Sequence, residues 1–375
     1  MYLHKLTLSN FKNYRDADLA FSPKINCFVG NNGVGKTNLL DAIHYLSFCK
    51  SYFNPVDSQN IRHNGEFFAI HGFYDKNGNK EDKLSCIQRA NHKKQFKLNK
   101  KEYGRLSDHI GLYPLVMISP YDRDLINEGS DIRRKYIDSV ISQFDKVYLD
   151  CLIGYNKALV QRNTLLKDFY DRRYFDPSAL DIWDEKLIEL GHFIHGKRQD
   201  FIRDFTPLFL KYFELISGGM ESVDIRYASQ LSERDLDQLL AVSREKDRAV
   251  KHTTAGVHKD DLEFMIDGFP VKKFGSQGQQ KSFVIAIKLA QFEYTRNRKG
   301  FKPILLFDDI FDKLDENRVE QLVELVSLDS FGQVFITDTQ KRRIEHIFHR
   351  ITIDHKIFEV MGGVVTEIPN NPVRP

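Results

Sequence analysis

A chain of 375 residues is long enough to bury a substantial core and to form more than one folding unit. Hydrophobic residues make up 41% and charged residues 29%, and the net charge of +3 gives little long-range attraction for nucleic acid, so a DNA-binding surface must come from local clustering. No apolar run approaches the ~20 residues that a membrane span needs, and none of the four cysteines has a metal-binding spacing, which predicts a cytoplasmic protein without membrane contact or structural zinc.

The first part of the chain predicts two strands and a helix in succession. Leu6, Leu8 and Phe11 predict an opening strand, and the apolar run 25–29 predicts a second, buried strand. Over residues 37–48 the apolar positions change to the spacing of an amphipathic helix. A glycine-rich segment joins the buried strand to this helix.

Residues 66–118 return to strand patterns. The run 76–79, Lys-Asn-Gly-Asn, predicts a hairpin turn, and the apolar run 115–118 predicts another buried strand. The first 120 residues are therefore expected to be rich in strands.

Residues 121–250 are predicted to form a helical insert, because their apolar period changes from two to 3.6. One long amphipathic helix is expected over residues 137–159, and a second helical stretch begins near Leu180. Pro207 is expected to kink or interrupt that stretch, and the glycine pair at Gly218 is expected to end it.

The last part of the chain resumes strand–helix alternation. Before it, Ser232 is predicted to begin a helix, with Asp235 as a capping-box acid. A helix over 283–292 and buried strands over 304–307 and 334–336 follow. Such alternation predicts a parallel or mixed sheet flanked by helices, so the two outer parts form one α/β domain split by the insert.

The glycine-rich segment matches a phosphate-binding P-loop. Its residues are Gly30, Asn31, Asn32, Gly33, Val34, Gly35, Lys36 and Thr37. The glycines let backbone amides turn toward phosphate oxygens, and the following helix adds its positive end. Lys36 would supply a cation for the β- and γ-phosphates of ATP, and Thr37 a hydroxyl ligand for Mg²⁺. A chance match on a glycine-rich turn arises on the order of once in two hundred chains of this length, and the strand and helix on either side make it rarer.

Two acids end the predicted strand 304–307. An acid in this position lies at the carboxyl edge of the sheet, beside the P-loop. Asp308 is expected to hold magnesium through water, and Asp309 to orient or deprotonate an attacking water. The alternative is an ordinary strand that ends in a polar turn, which the P-loop makes the weaker interpretation.

A Ser-x-Gly turn opens the helix that begins near residue 277. Ser276, Gly278 and Gln279 would form a second anion site from a hydroxyl, backbone amides and the helix dipole. The alternative is a simple N-cap with a flexible glycine. The position of this turn, about thirty residues before the acidic strand, favours the anion site.

A P-loop, a Ser-x-Gly-Gln-Gln turn and an acidic strand followed by Lys313-Leu314-Asp315 resemble the layout of ABC-type ATPase heads. More narrowly, the chain is similar to the RecF family of recombination mediators over nearly its whole length. Further matching segments are Asn10-Phe11-Lys12-Asn13-Tyr14, Asn38-Leu39-Leu40-Asp41-Ala42-Ile43, Ile118-Ser119-Pro120, Arg133-Arg134-Lys135-Tyr136-Ile137-Asp138, Gln161-Arg162-Asn163, Leu165-Leu166 and Gly256-Val257-His258-Lys259-Asp260-Asp261-Leu262.

The resemblance implies an ABC-type α/β head with a mixed sheet, interrupted by a helical lid or arm. The head would comprise residues 1–120 and 251–375, and the insert residues 121–250. The P-loop would bind nucleotide, the Ser276 turn would contact the γ-phosphate bound by a second subunit, and the two acids would serve magnesium and water. Asp315 would lie at the dimer seam, and Ser119 near the loop that senses magnesium.

Some positions depart from the family pattern. Asp309 stands where most ABC heads have glutamate, although an Asp-Asp pair is typical of RecF-like proteins. Thr337 stands where many ABC ATPases have a switch histidine, and the segment before Arg133 lacks the expected proline. A shorter base and no histidine predict slow ATP hydrolysis, which suits a switch better than a motor. The resemblance implies that DNA stimulates this hydrolysis.

The resemblance further implies an ATP-driven homodimer that binds DNA. It would act in replication-associated repair of DNA damage and assist recombinase loading at gapped DNA, with the mediator proteins RecR and RecO as partners. A scaffold that binds ATP and DNA without significant turnover is the alternative that stays open.

A lysine cluster is the first candidate for DNA contact. Its members are Lys93, Lys94, Lys97, Lys100 and Lys101. Such a hairpin would bind phosphates without sequence choice, and a solvated sheet edge protected by lysines is an equal alternative. A second candidate is a set of arginines in the insert, for which a wet helix face is favoured. They are Arg133, Arg134, Arg162, Arg172 and Arg173.

Three other interpretations are weaker. A chromosome-structuring SMC protein separates its head halves by long coiled coils, whereas here only about 130 residues intervene, with Pro207 among them. A P-loop kinase would lack the Ser276 turn, and a nuclease would need a further acidic metal cluster. His258 is interpreted as a hydrogen-bonded structural histidine.

Overall fold

The computed structural model describes residues 1–76, 81–219, 221–310, 316–327, 330–350 and 353–369. The chain divides into two compact units, one of Met1–Tyr121 with Phe292–Pro375 and one of Asp122–Gln291. No helix in these ranges is long and apolar enough to cross a bilayer.

The strands, in chain order, are β1 (Tyr2–Phe11), β2 (Tyr14–Ala20), β3 (Ile25–Val29), β4 (Phe67–Asp75), β5 (Glu81–Arg89), β6 (Gln95–Leu98), β7 (Lys101–Glu102), β8 (Leu115–Ile118), β9 (Val223–Ala228), β10 (Asp261–Ile266), β11 (Phe269–Pro270), β12 (Ile304–Phe307), β13 (Val334–Asp338), β14 (His355–Met361) and β15 (Val364–Ile368). The helices are α1 (Lys36–Phe48), α2 (Asp124–Asn127), α3 (Ser130–Ser142), α4 (Lys146–Arg172), α5 (Pro177–Ser217), α6 (Leu236–Val250), α7 (Val271–Phe274), α8 (Gln277–Lys299), α9 (Glu316–Ser327) and α10 (Lys341–Arg350).

The first unit contains two six-stranded sheets. One is antiparallel in the order β2-β1-β4-β5-β6-β7, and the other has the order β15-β14-β3-β13-β12-β8 with only β15 antiparallel. Helix α1 contacts strands of both sheets, because Leu39, Leu40, Ile43 and Leu46 are buried against them. The mixed sheet agrees with the predicted architecture. The predicted hairpin turn lies largely outside the described residues, but β4 and β5 pair on either side of it.

The strands around the P-loop were predicted correctly because their signals are local. All residues of β3, β8 and β12 are buried, as continuous apolar runs in a parallel sheet should be. Strands β3 and β12 are both neighbours of β13, so their carboxyl ends meet at one edge of the sheet.

The second unit combines helices with a three-stranded antiparallel sheet, β11-β10-β9. The predicted long helix over 137–159 is wrong, because two helices cover this range. Helix α3 ends at Ser142, and Asp145 caps α4 by accepting a hydrogen bond from the Tyr148 amide at 2.9 Å. The capping carboxylate competes with helix continuation at this point.

Helix α5 runs through Pro207 without ending. A proline in a helix interior costs about 3 kcal/mol, but each fully buried aromatic side chain contributes about 1.5–3 kcal/mol. Phe201, Phe205 and Phe209 are all buried around the proline, so tertiary packing prevails over local propensity. Gly218 ends the helix in the left-handed conformation, as predicted.

Two further details differ from the predictions. Asp235 is the N-cap of α6, whose first residue is Leu236, so Ser232 does not begin this helix. Strand β9 lies inside the predicted helical insert and pairs with β10, from Val223 opposite Ile266 to Ala228 opposite Asp261. Residues 251–291 lie in the compact unit Asp122–Gln291.

Candidate nucleotide-binding site

The P-loop leaves β3 and turns into α1 with glycines where side chains do not fit. A Cβ at Gly30 would lie 2.5 Å from the Val360 carbonyl oxygen. At Gly35 φ is 113°, and a Cβ would lie 2.3 Å from Asn13 Nδ2. Both positions therefore need glycine. At Gly30 the Val360 backbone leaves no room for a Cβ, and at Gly35 the Asn13 side chain leaves none and the backbone is left-handed as well.

Lys36 is held at the mouth of this loop. Its ammonium donates hydrogen bonds to the carbonyl oxygens of Gly30 and Asn31, each at 2.8 Å, although the residue is only 6% exposed. Burial lowers the pKa of Lys36, and the carboxylates of Asp309 and Asp308 oppose that shift. A cavity of about 170 Å³ opens beside it. Its lining residues are Asn32, Gly33, Gly35, Lys36, Thr37, Asn38 and Asp309.

A hydrogen bond joins the P-loop helix to the acidic strand end. Thr37 Oγ1 donates to Asp308 Oδ1 at 2.8 Å. Asp308 is 3% exposed, and burial raises the pKa of its carboxyl, while the hydrogen bonds from Thr37 and Thr337 oppose the shift. A hydroxyl and a carboxylate oxygen this close form the kind of hard-oxygen pair that Mg²⁺ uses beside phosphates. Within the described residues no group of three or more His, Cys, Asp or Glu forms a metal site.

Thr337 is a site residue whose role the sequence did not reveal. Its hydroxyl donates to Asp308 Oδ1 at 3.0 Å and accepts the Asp309 amide hydrogen at 2.8 Å. One threonine at the end of β13 therefore positions both acids. Asp309 adopts a left-handed backbone with φ 48°, a conformation that is uncommon for residues other than glycine and often marks functional sites.

The turn between β1 and β2 supports the P-loop from outside. Asn13 Nδ2 donates to the Val34 carbonyl at 2.9 Å, and Asn13 Oδ1 accepts from Asn38 Nδ2 at 2.7 Å. The Tyr14 hydroxyl donates to the Gly35 carbonyl at 2.9 Å. The sequence marked this segment only as a family match, because contacts between residues so far apart in the chain leave no local periodicity.

Replacement of Asn13 by alanine should weaken ATP binding by about three- to tenfold, because two hydrogen bonds that hold the P-loop carbonyl and Asn38 are removed. Titration with a fluorescent ATP analogue measures the effect. Asn156→Ala, on an exposed position of α4, is the matched control and should bind normally. Equal affinities for both variants would show that the turn does not order the loop.

The Ser276 turn is a capping box at the start of α8. Ser276 Oγ accepts from the Gln279 amide at 3.2 Å, and Gln279 Oε1 accepts from the Ser276 amide at 2.7 Å. Ser276, Gln277 and Gly278 are exposed or partly exposed, so a hydroxyl and a helix N-terminus face solvent together. The turn thus caps the helix, as the simpler interpretation predicts. It is also exposed to solvent, as an anion site requires. Its action across a dimer stays a prediction, and Asp315 lies outside the described residues.

The lysine cluster occupies the β6–β7 edge of the antiparallel sheet. Lys93, Lys100 and Lys101 are exposed, and Lys97 lies opposite Glu102 in the neighbouring strand. Lys94 differs, because its ammonium contacts Asp57 Oδ2 at 2.7 Å and the Tyr45 hydroxyl at 2.8 Å with only 10% of its side chain exposed. Lys94 therefore has a structural role, and the cluster presents one cation fewer than predicted.

The arginines of the insert are mostly engaged in the protein. Arg162 is fully buried and donates to Asp184 and Asp247, so it has no surface for DNA. Arg133 forms a bidentate pair with Asp261, with distances of 2.6 and 2.9 Å. Both arginines hold separate segments of the second unit together.

Two further arginines of the set stay at the surface or bind the backbone. Arg172 is an exposed partner of Asp168, and Arg134 donates to the Asp260 carbonyl.

His258 contacts the Tyr155 hydroxyl through Nδ1 at 2.9 Å and the Thr253 carbonyl through Nε2 at 3.1 Å. Burial lowers the pKa of His258 to about 4, so it is neutral and structural, in agreement with its interpretation from sequence.

Comparison with known proteins gives one consistent result. The family described as RecF/RecN/SMC N terminal domain matches residues 2–358. The chain is 51% identical over 368 residues to the DNA replication and repair protein RecF of Phocaeicola vulgatus, covering 98% of each chain. It is 53% identical over 360 residues to the protein of the same name from Flavobacterium johnsoniae, covering 96% of this chain and 100% of the relative.

Solved structures agree. The recombination mediator protein RecF with ATP, described in the RecFOR pathway, has a TM-score of 0.88 and 30% identity and covers 98% of both chains. An SMC head bound to the C-winged helix domain of ScpA has a TM-score of 0.58 at 17% identity, with 98% of this chain and 97% of that chain covered, which shows a shared fold. The predicted ABC-type α/β head is thereby confirmed. The chain belongs to the RecF/RecN/SMC N-terminal domain family, and within it to the RecF proteins of DNA replication and repair.

Proposed function

We propose that the protein is an ATP-driven homodimer switch that binds DNA and assists recombinase loading at gapped DNA during replication-associated repair. The observation that carries the proposal is the 2.8 Å hydrogen bond between Thr37 and Asp308, because it joins a P-loop to an acidic strand end at one site. The relatives' names, DNA replication and repair protein RecF, and the solved recombination mediator with ATP support the cellular role.

The P-loop and the two acids after β12 have different proposed roles in ATP binding and hydrolysis. The loop's amides and Lys36 would bind the β- and γ-phosphates, while Thr37 and Asp308 would hold Mg²⁺. Bound magnesium neutralises phosphate charge. Asp309, which lines the cavity, would orient a water and accept its proton. The carboxylate of Asp309 is a short base, and its neighbour Thr337 cannot take up a proton as a histidine would. Both features support slow ATP hydrolysis.

The second unit supplies a surface for a partner subunit. Beside the Ser276 turn, Phe269 and Phe274 are 55% and 63% exposed, with ring centroids 5.0 Å apart. Exposed aromatic pairs are typical of interaction sites. The exposure of this aromatic pair beside the Ser276 turn supports the dimer proposal.

The partners follow from the relatives. The solved relative is a mediator in the RecFOR pathway, which supports RecR and RecO as partners. Work on chromosomal DNA would take place in the cytoplasm.

Replacement of Asp309 by alanine should slow single-turnover ATP hydrolysis by about 100-fold, because the carboxylate that orients water is removed. ATP-dependent dimerisation should persist, since the proposed role of Asp309 is to orient water and not to bind the triphosphate. Rapid mixing of enzyme in excess over radiolabelled ATP, with and without duplex DNA, measures the effect.

Asp171→Ala, in the helical unit, is the matched control and should hydrolyse ATP at the normal rate. Hydrolysis that is equally slow in the unaltered protein and in Asp309→Ala would favour the alternative function, a scaffold that binds ATP and DNA without turnover.

Neutralising the lysines of the cluster other than Lys94 should weaken DNA binding and flatten its salt dependence. Changing Lys93, Lys97, Lys100 and Lys101 to glutamine should reduce the slope of log K against log salt by about 0.9 for each phosphate that a lysine no longer neutralises. Fluorescence anisotropy with a gapped duplex at several salt concentrations measures the slope. Four lysines of the other unit, changed in the same way, are the control. They are Lys157, Lys167, Lys186 and Lys211. An unchanged slope in the first variant would remove the β6–β7 edge from the DNA interface.

A further inference from the structure

A second, larger recess lies in the first unit, at the sheet edge opposite the P-loop. Its volume is about 630 Å³. Pro23 and Lys24 precede β3, Lys302 precedes β12, and Phe331 precedes β13, so the amino ends of three adjacent parallel strands form its floor. The P-loop follows the carboxyl end of β3, which separates the two sites by the length of the strand. We call this site the basal recess.

Cations from three separate segments converge on the basal recess. Lys24, Arg296 and Lys302 all line it, and none of the described lining residues is acidic. Arg296 is fixed in place, because it donates to the Ser330 carbonyl at 3.1 Å and forms an ion pair with Glu293, with 3.4 Å between Nη2 and Oε1. Two lysines together with this ion-paired arginine in one concave site give a local field that favours an anionic ligand.

The walls are preformed by a buried glutamine. Gln333 is 1% exposed, and its Oε1 accepts from the Leu3 amide at 2.8 Å. Its Nε2 donates to the carbonyls of Leu3 and Ser22, at 2.7 and 2.8 Å. These bonds tie β1, the segment before β3 and the segment before β13 together. These backbone segments of the walls are therefore held in place before a ligand binds.

Aromatic side chains give the recess apolar surface. Phe301 is 36% exposed, and Tyr2 is partly exposed beside it in the lining. Phe331 is 2% exposed and stacks on Phe292 with a centroid distance of 4.7 Å, so it serves as wall and not as a free stacking face.

We propose that the basal recess binds a short acidic peptide segment of a protein partner. Its carboxylates would face Lys24, Arg296 and Lys302, and an aromatic or aliphatic side chain would pack on Phe301. A duplex is a cylinder about 20 Å wide and presents phosphates on its outside, so it cannot enter a recess of this size. A single strand would need open aromatic faces for successive bases, whereas Phe331 is buried and already stacked, which leaves only the partly exposed ring of Phe301 and that of Tyr2 among the aromatic lining residues that the structure describes. The location opposite the P-loop makes the interaction independent of ATP.

The test uses the full chain and a fluorescein-labelled octapeptide, Gly-Asp-Glu-Phe-Glu-Asp-Leu-Phe, in fluorescence anisotropy titrations. Binding is expected below about 1 mM, and the double variant Lys24→Glu/Lys302→Glu should weaken it at least about tenfold. The control double variant Lys157→Glu/Lys167→Glu changes two exposed lysines on α4 and should bind as before. A peptide with every acid replaced by its amide should not bind.

Further measurements distinguish a loss of binding from a loss of folding, and a peptide ligand from a nucleic acid. The neutral pair Lys24→Gln/Lys302→Gln repeats the test if the charge reversal lowers the melting temperature, and it should also weaken binding. Addition of ATP should leave the peptide affinity unchanged, and this holds whether or not the proposed ATP switch is correct. The proposal would be overturned if the unaltered protein did not bind the peptide up to about 1 mM, or if the Lys24/Lys302 variants bound it as tightly as the unaltered protein does. Tighter binding of labelled oligothymidine, abolished in the Lys24/Lys302 variants, would assign the recess to nucleic acid instead.

Discussion

Replacement of Lys36 by alanine is expected to abolish ATP-dependent dimerisation and to lower ATP affinity at least about 100-fold. The ammonium lies at the mouth of the P-loop, 2.8 Å from two loop carbonyls, and lines the cavity that would take the phosphates. Without it, the triphosphate charge has no cation from the loop, and the two carbonyls lose their donor. Sedimentation velocity with and without ATP measures dimerisation, and a fluorescent analogue measures binding.

Lys50→Ala is the matched control for this experiment, because Lys50 is exposed just beyond the end of α1. Its dimerisation should equal that of the unaltered protein. Lys36→Arg tests charge against shape, and we expect it to fail as well, since a planar guanidinium cannot replace a compact ammonium between two carbonyls. Dimers of Lys36→Ala that form with ATP would disprove the proposed mechanism.

Replacement of Ser276 by aspartate should block dimerisation while leaving ATP binding by the monomer and the melting temperature nearly unchanged. Aspartate is as good an N-cap as serine, so α8 should still begin at Gln277. Its negative charge, however, would meet the γ-phosphate bound by the partner copy, and like charges at a few ångströms repel strongly. We expect dimerisation to weaken at least about 100-fold in sedimentation velocity.

Ser276→Asn is the matched control, since asparagine caps as well as aspartate without the charge. It should dimerise far better than the aspartate variant. If both variants dimerise like the unaltered protein, the Ser276 turn is only a helix cap and the trans contact is wrong. If the aspartate variant loses ATP binding as a monomer, the turn acts within one subunit instead.

Local signals account for the correct sequence predictions. The run 25–29 is apolar almost throughout because a parallel strand is buried on both faces, and the P-loop composition follows from the need for amides that point at phosphate. The acids after β12 were found for the same reason, since a polar pair directly after a buried strand is visible without any knowledge of its neighbours.

Several differences from the sequence predictions come from packing between distant segments. Pro207 does not end α5, because aromatic residues on both sides of it are buried. Strand β9 escaped notice, since its partner β10 lies 33 or more residues further along the chain in every register pair. Lys94 looked available for DNA, yet it pairs with Asp57, 37 residues away.

The sequence by itself predicted the parts of the proposed nucleotide site, namely the P-loop, its lysine and threonine, and the two acids, because phosphate and magnesium binding require particular residue types at fixed spacings. Only the tertiary structure decided how these parts meet. Thr37 reaches Asp308 across 271 residues, and Thr337 holds both acids, because β3, β13 and β12 are neighbours in one sheet. Strand order depends on burial and hydrogen bonding over the whole unit, and no local pattern of residues records it.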